Sequence, residues 1–91
     1  MRTFKLFIMT PEQSLFNGEA RYCGITTDAG SIGFEAMHEP MIAILKNNTE
    51  IRIKDAAGSS SIITVSEGML SFKNNTCSIT ATIQKQPLHH A

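Results

Sequence analysis

The chain has 91 residues, and its eight lysines and arginines balance its eight aspartates and glutamates, so the formal net charge is zero. This length fits one domain built around one hydrophobic core. The balanced charge argues against a nucleic-acid partner, whose phosphates require a basic surface, and against charge-driven binding to an acidic membrane.

The first part of the chain is predicted to form short β-strands separated by turns. Residues 3–9 are apolar at nearly every position, which predicts a strand covered on both faces. Pro11 then fixes a turn. Residues 14–17 form a short strand, which the Asn-Gly pair at 17–18 is expected to end. Residues 20–27 are rich in β-branched and aromatic side chains and form the next strand.

Residues 28–45 are the stretch around which the rest of the chain is organised. Gly30 and Gly33 permit turns that a side chain would obstruct. Pro40 breaks the stretch, and the apolar run at residues 41–45 follows it. We expect this run to lie mainly in the core.

The segment after the second glycine is predicted to expose Phe34, Met37 and His38. Large apolar side chains at an accessible corner are typical of an interface. Together with Met41, these residues are interpreted as a docking surface for another protein.

The remaining strands are predicted from alternation and from the turn residues between them. Residues 50–55 alternate apolar and polar side chains, which is typical of an antiparallel strand with one solvated face. Residues 61–66, 69–72 and 76–84 form three further strands. The inward-facing side chains are expected to include Ile51, Ile53, Cys77, Ile79, Ala81 and Ile83.

The chain as a whole is predicted to be all-β. No window longer than about ten residues carries the 3.6-residue period of an amphipathic helix. Many short strands separated by turns, without crossover helices, indicate a β-sandwich or barrel. The domain is expected over residues 1–84, and residues 85–91 are expected to be a disordered tail.

The sequence offers no catalytic, cofactor or metal site. His38 and Glu39 are adjacent, but a zinc-protease motif requires a second histidine at position 42, which is Ile42. The glycine segment at 30–33 lacks the lysine and the helix of a phosphate-binding loop. We therefore expect that the chain is not an enzyme and has no cofactor.

Two further features indicate a cytosolic environment. The start of the chain has no continuous hydrophobic region typical of a signal peptide, and no run approaches the roughly 18 apolar residues of a membrane span. Cys23 and Cys77 lie far apart in sequence without metal-ligand spacing. Free buried thiols are the preferred interpretation, and a disulfide is the alternative.

A series of short motifs runs through residues 3–83 in a fixed order. The motifs are Phe4-Lys5-Leu6, Thr10-Pro11-Glu12, Phe16, Gly18, Gly30, Gly33, His38, Pro40, Leu45, Val65-Ser66 and Gly68-Met69-Leu70. Together they resemble the N-terminal β-sandwich domain of the epsilon subunit of F-type ATP synthases. The chain departs from the family pattern at Ser31, where an acidic residue is common, and at Met37, where glycine is usual.

The resemblance implies a two-sheet antiparallel β-sandwich of about ten short strands. It implies a non-catalytic central-stalk component that links the gamma subunit to the membrane c-ring and couples ion flow to ATP synthesis. Such a subunit is cytoplasmic and peripheral on the inner face of the membrane, with no membrane insertion and no small-molecule substrate. The alternative interpretation is a stand-alone β-sandwich binding module unrelated to the motor.

The resemblance also implies the partner surfaces. Thr10, His38 and Ala43 resemble gamma-facing residues of the family, and the exposed patch extends that surface. Ser31, with the neighbouring Gly30, resembles the surface that faces the c-ring.

Family members commonly continue into a C-terminal pair of helices that inhibits ATP hydrolysis and in some members binds ATP. The residues after the last predicted strand are too few for such helices. We therefore expect this chain by itself neither to inhibit ATP hydrolysis nor to bind ATP.

Overall fold

The computed structural model describes residues 2–83, so the predicted tail at 85–91 lies outside the described residues. Within that range the chain forms strands and no helix, which confirms the predicted all-β class. The eight strands are β1 (Phe4–Met9), β2 (Ser14–Thr27), β3 (Gly30–Phe34), β4 (Met41–Ile44), β5 (Thr49–Asp55), β6 (Ser60–Val65), β7 (Glu67–Lys73) and β8 (Thr76–Thr82).

The strands follow one hydrogen-bonded order, β4-β7-β8-β1-β2-β5-β6, with β3 paired to β2. All neighbours are antiparallel except β1 and β8, which run parallel from Lys5 opposite Thr76 to Met9 opposite Thr80. The sheet is therefore mixed, and its eight described strands are fewer than the ten expected. One strand is lost from the count because β2 is a single long strand.

The Asn17-Gly18 pair does not end a strand, so the predicted turn at that point is wrong. Asn17 pairs with Phe7 and Gly18 pairs with Leu6, both in β1. Strand β2 therefore runs through the pair without a break over its fourteen residues. Pairing along the whole of β1 overrides the local turn preference of the Asn-Gly sequence.

The sheet folds over on itself and encloses a hydrophobic core. Phe34 of β3 stacks on Phe72 of β7, with ring centroids 5.8 Å apart, although these strands are not neighbours in the sheet. Inward-facing side chains of two layers therefore meet, as in a sandwich. The core contains Phe4, Leu6, Ile8, Ala20, Cys23, Ile25, Phe34, Ala43, Leu45, Ile51, Ile53, Val65, Leu70, Phe72, Cys77, Ile79 and Ala81.

The predicted inward positions of the last strand are confirmed with one exception. Cys77, Ile79 and Ala81 are buried, but Ile83 is 42% exposed. Strand β8 ends at Thr82, so the alternation that turns each second side chain inward stops before Ile83.

The two cysteines lie in the core as free thiols, which confirms the preferred interpretation. A hydrogen bond between the Cys77 and Cys23 side chains, burial, and the charge of a Cys23 thiolate raise the pKa of Cys77 far above its ordinary value. Cys77 is therefore a protonated, inert core side chain at neutral pH.

Candidate partner-binding surface

The corner at residues 35–40 connects β3 to β4 and is held from two sides. The backbone N–H of His38 donates to the Glu35 carbonyl at 3.2 Å, which closes a turn. The N–H of Met37 donates to Asn75 Oδ1 at 2.8 Å, and Asn75 Nδ2 donates to the Thr3 carbonyl at 3.0 Å. The side chain of one asparagine thus ties the corner to the start of the chain.

The predicted exposed patch at this corner is correct for Met37 and wrong for Phe34. Met37 has a positive φ of 65° and is 65% exposed. Phe34 is fully buried, because the alternation of β3 turns it inward against Phe72. Its aromatic ring therefore supports the corner from below and is not available to a partner.

His38 is half-buried, and aromatic packing holds it in place. Its ring lies 4.6 Å from the Phe34 ring and 5.5 Å from the Phe72 ring, measured between centroids. Its Nδ1 hydrogen-bonds the Glu39 carbonyl at 2.7 Å, so this nitrogen carries the proton. One edge of the imidazole remains available beside Met37.

Strand β4 presents alternate side chains to opposite sides. Ala43 and Leu45 face the core, whereas Ile42 and Ile44 are 72% and 63% exposed. The expectation that the apolar run at 41–45 lies in the core is therefore wrong for these two isoleucines. Because every residue of the run is apolar, its composition did not indicate which side chains face outward.

The exposed isoleucines begin two rows that cross four neighbouring strands. In one row Ile44 lies opposite Met69, Met69 opposite Thr80, and Thr80 opposite Met9. In the other, Ile42, Ser71, Ser78 and Phe7 lie opposite one another in the same way. We call these eight residues the apolar face: Phe7, Met9, Ile42, Ile44, Met69, Ser71, Ser78 and Thr80.

None of these eight residues is charged, although Lys5 borders them with its Nζ 5.8 Å from the centre of the Phe7 ring. Ile42, Ile44, Met69 and Met9 are the most exposed large apolar side chains of the apolar face. Exposed apolar surface of this kind, spread over adjacent strands, is typical of a protein–protein interface. Sequence reasoning missed these four residues. Their burial pattern follows from strand pairing across the chain, which the local sequence does not contain.

The other gamma-side residues expected from the resemblance border this face but point away from it. Thr10 is buried, and its Oγ1 accepts hydrogen bonds from the N–H groups of Glu12 and Gln13, at 3.2 and 3.1 Å. Ala43 is buried between the two outward isoleucines, and Met41 is half-buried against the core. Thr10 and Ala43 thus lie next to or within strands of the apolar face, and the side chains beside them in sequence face outward.

The two residues expected to face the c-ring lie at the tip of the β2–β3 hairpin. Gly30 adopts a φ of +127°, which favours glycine, and the Thr27 hydroxyl donates to the Gly30 carbonyl at 3.0 Å. Ser31 is exposed, with its Oγ 3.5 Å from Thr26 Oγ1. Since Gly30 begins β3 and Phe34 ends it, the strand separates this tip from the His38 corner by roughly 13 Å.

Residues 2–83 contain neither a cluster of metal ligands nor a helix that could cross a membrane. No group of three or more potential ligands is placed to hold a metal ion. No helix among these residues has the length and apolar composition needed to cross a membrane.

Comparisons of this chain with known proteins agree on one family. Residues 3–84 match the family described as the β-sandwich domain of the ATP synthase delta/epsilon chain. Curated relatives include the ATP synthase epsilon chains of Polaromonas naphthalenivorans (29% identical) and Delftia acidovorans (30% identical). Each alignment covers 87% of this chain and 56% of the relative, so the chain spans about half the length of the curated relatives it matches.

Solved structures share the fold. A chain in the mitochondrial ATP synthase of Euglena gracilis (OSCP/F1/c-ring) superposes with a TM-score of 0.80, at 16% identity over 87% of this chain and 50% of that chain. A chain in the central stalk/c-ring structure of the Tetrahymena thermophila mitochondrial ATP synthase gives 0.73, at 16% identity over 89% and 64%. With the family match over nearly all described residues, the chain belongs to the β-sandwich domain family of ATP synthase delta/epsilon chains.

Proposed function

We propose that the chain is a non-catalytic component of the central stalk of an ATP synthase, which links the gamma subunit to the c-ring and couples ion flow to ATP synthesis. The observation that carries this proposal is the uncharged apolar face across β4, β7, β8 and β1 in a chain of this family. In this proposal the gamma subunit covers the apolar face and the adjoining corner at Met37 and His38. The c-ring contacts the hairpin tip at Gly30 and Ser31.

The fold suits a mechanical connection. Two packed layers of strands are as dense as an organic crystal and transmit force with little deformation. Ser31 offers a hydroxyl where relatives commonly carry an acid, so contact with the c-ring at this point rests on hydrogen bonding without an ion pair. We place the subunit on the cytoplasmic side of the membrane, as a peripheral part of the complex.

The test compares two exposed isoleucines of β4 with one on another edge strand. Replacing Ile42 and Ile44 with Asp puts charge into the proposed interface while leaving the core untouched, so we expect binding to the gamma subunit to weaken by more than about tenfold. Ile62→Asp on β6 is the matched control, because Ile62 is 59% exposed but lies outside the apolar face. We expect it to bind gamma normally.

Co-purification with gamma and titration calorimetry measure both variants, and circular dichroism checks that they fold. Normal binding by a folded Ile42→Asp, Ile44→Asp double variant places the gamma contact elsewhere on the chain. Failure of the unmodified chain to bind gamma at all favours the stand-alone binding module.

A further inference from the structure

The outer surface of β2, β5 and β6 contains an open cavity of about 860 Å³. Strand register brings its walls together, because Tyr22 lies opposite Lys54, and Lys54 opposite Ser60. The volume falls in the range of roughly 300–1,000 Å³ typical of small-molecule sites. Neither the apolar face nor the hairpin tip contributes to it.

The cavity is strongly basic although the chain is neutral. Arg2, Arg21, Arg52 and Lys54 line it, which is four of the eight cationic side chains of the sequence. Glu35 is the acidic residue of the lining, from a total of eight aspartates and glutamates. A concave surface lined by one sign of charge concentrates the electrostatic potential and attracts an anion.

Two glycines allow an aromatic ring to lie against the sheet beside these charges. A Cβ at Gly33 would lie 2.7 Å from Tyr22 Cε1, and one at Gly24 would lie 2.6 Å from Tyr22 Oη and 3.0 Å from Arg52 Nη2. The absence of both side chains therefore creates the space that the Tyr22 ring and the Arg52 guanidinium occupy. Arg52 Nη2 donates to the Ile25 carbonyl at 3.4 Å, which holds the guanidinium beside the tyrosine hydroxyl.

Arg21 provides a donor without an acceptor. Its Nε is buried, and no acceptor among the described residues hydrogen-bonds it. The guanidinium packs beneath the loop at Gly58, where a Cβ would lie 3.3 Å from Arg21 Nη1. Buried donors are paired in the great majority of cases, so the unpaired Nε marks Arg21 as a cation of the cavity lining whose hydrogen-bonding capacity is incompletely used.

We propose that this cavity binds a small ligand that carries a phosphate group. Arginine guanidinium groups present planar pairs of donors that match phosphate oxygens, and several of them together balance more than one negative charge. The cavity is larger than a single acidic side chain needs, and Tyr22 and Ile62 provide apolar walls for the body of a ligand. A phosphate ligand therefore fits this cavity better than an acidic peptide does.

This proposal rests mainly on residues outside the proposed gamma surface, and only Glu35 and Ala36 of the cavity lining belong to the corner at residues 35–40. It differs from the expectation of no small-molecule ligand. That expectation followed from the family resemblance, and the glycine segment at 30–33 also lacks the contiguous motif of a phosphate-binding loop. The residues of this cavity come from positions 2 to 62 and meet only through strand pairing.

The test is calorimetric titration of inorganic pyrophosphate into the chain at low ionic strength. We expect saturable binding that Arg21→Gln and Arg52→Gln each weaken by about tenfold or more, since each loses charge-assisted hydrogen bonds. Arg21→Lys keeps the charge but loses the planar donors, so we expect it to weaken binding as well. Lys73→Gln is the matched control for charge, because Lys73 is exposed and lies outside the cavity.

Circular dichroism checks folding, and if Arg21→Gln does not fold, the exposed residues Arg2 and Lys54 are replaced with Gln instead. Their combined replacement must also weaken pyrophosphate binding. No saturable binding, or an equal loss with Lys73→Gln, overturns the proposal. Tighter binding of a glutamate-rich peptide than of pyrophosphate, lost in Arg21→Gln, overturns it in favour of a protein partner.

Vesicles distinguish the two sources of phosphate. A lipid headgroup is supported as the ligand if the chain sediments with phosphatidylglycerol vesicles but not with phosphatidylcholine vesicles, and if pyrophosphate reverses this binding. Pyrophosphate binding without vesicle binding supports a soluble phosphate compound.

Discussion

The two outer surfaces of the sandwich differ in chemistry although the same core lies beneath both. The apolar face on β4, β7, β8 and β1 has no charged member, whereas the cavity on β2, β5 and β6 holds half of the cationic side chains. A net charge of zero therefore does not mean that charge is evenly spread over the surface. The balanced composition does not exclude a local site for an anionic ligand. One surface suits a flat apolar partner, and the other suits a compact anion.

The largest effect is expected from the core that both surfaces share. Ile79→Ala removes a fully buried side chain, and we expect it to lower the free energy of unfolding by about 2–4 kcal/mol. Ile83→Ala on the same segment is the control, because Ile83 is 42% exposed, and we expect a change within about 0.5 kcal/mol. Urea denaturation measures both. Similar values for the two variants would contradict the inward orientation of Ile79.

A smaller loss is expected at the corner beside the apolar face. Asn75→Ala removes the hydrogen bonds to Met37 N–H and to the Thr3 carbonyl, whereas Asn74→Ala removes neither. Both asparagines have a positive φ, so both variants lose the same backbone preference. We expect Asn75→Ala to be less stable than Asn74→Ala by about 1–2 kcal/mol in thermal or urea unfolding. Equal stability would show that the asparagine tie does not hold the corner.

Alkaline pH is expected to act on the buried thiol of Cys77. The pKa of Cys77 is raised in the folded chain, so the folded state keeps a proton that the unfolded chain releases above its ordinary pKa of about 8.5. Stability from this group is complete below that pH and decreases as the pH rises above it.

The comparison with Cys77→Ala isolates this effect from other groups that titrate in the same range. We expect the unfolding free energy of the unmodified chain to fall by about 1 kcal/mol more than that of the variant between pH 7 and pH 9.5. Parallel pH profiles would show that the thiol ionises equally in both states.

Ionic strength is expected to affect binding at the two surfaces differently, and this effect is the smallest of those predicted. Raising the ionic strength from about 0.05 to 0.2 M shortens the Debye length, so the attraction between separated charges becomes weaker. We expect pyrophosphate affinity to fall by about threefold to fivefold. Gamma affinity should change by less than about twofold, because the eight residues of the apolar face are uncharged and Lys5 only borders them at Phe7. A stronger salt effect on gamma binding would indicate that charged residues outside the apolar face carry that contact.

The sequence predicted the strands well where polar and apolar residues alternate, and less well elsewhere. Ile51, Ile53 and Ile79 lie between polar neighbours, so their inward orientation followed from a period of two. At Ile42 and Ile44 every neighbour is apolar, and only pairing with β7 determines which side chains face out.

The two candidate sites show the same limit. The turn at Gly30 was predicted from its glycine, because a positive φ is a local requirement, whereas the turn predicted at Gly33 is wrong, since Gly33 lies within β3. The cavity was not found, since Arg21, Arg52 and Ser60 acquire their relation only through the pairing of three strands. Local preferences predict elements, whereas surfaces that cross several strands depend on long-range pairing.

The parallel pairing of β1 with β8 has a consequence for biosynthesis. Leu6 and Cys77 are partners at the centre of the sheet, so the first described strand pairs on one side with the last described strand, which is synthesised much later. Synthesis at about 5–20 residues per second leaves that edge of β1, with the apolar Leu6 and Ile8, uncovered for several seconds. A nascent chain that ends before residue 82 therefore has an incomplete sheet, and the domain cannot complete folding until β8 has emerged.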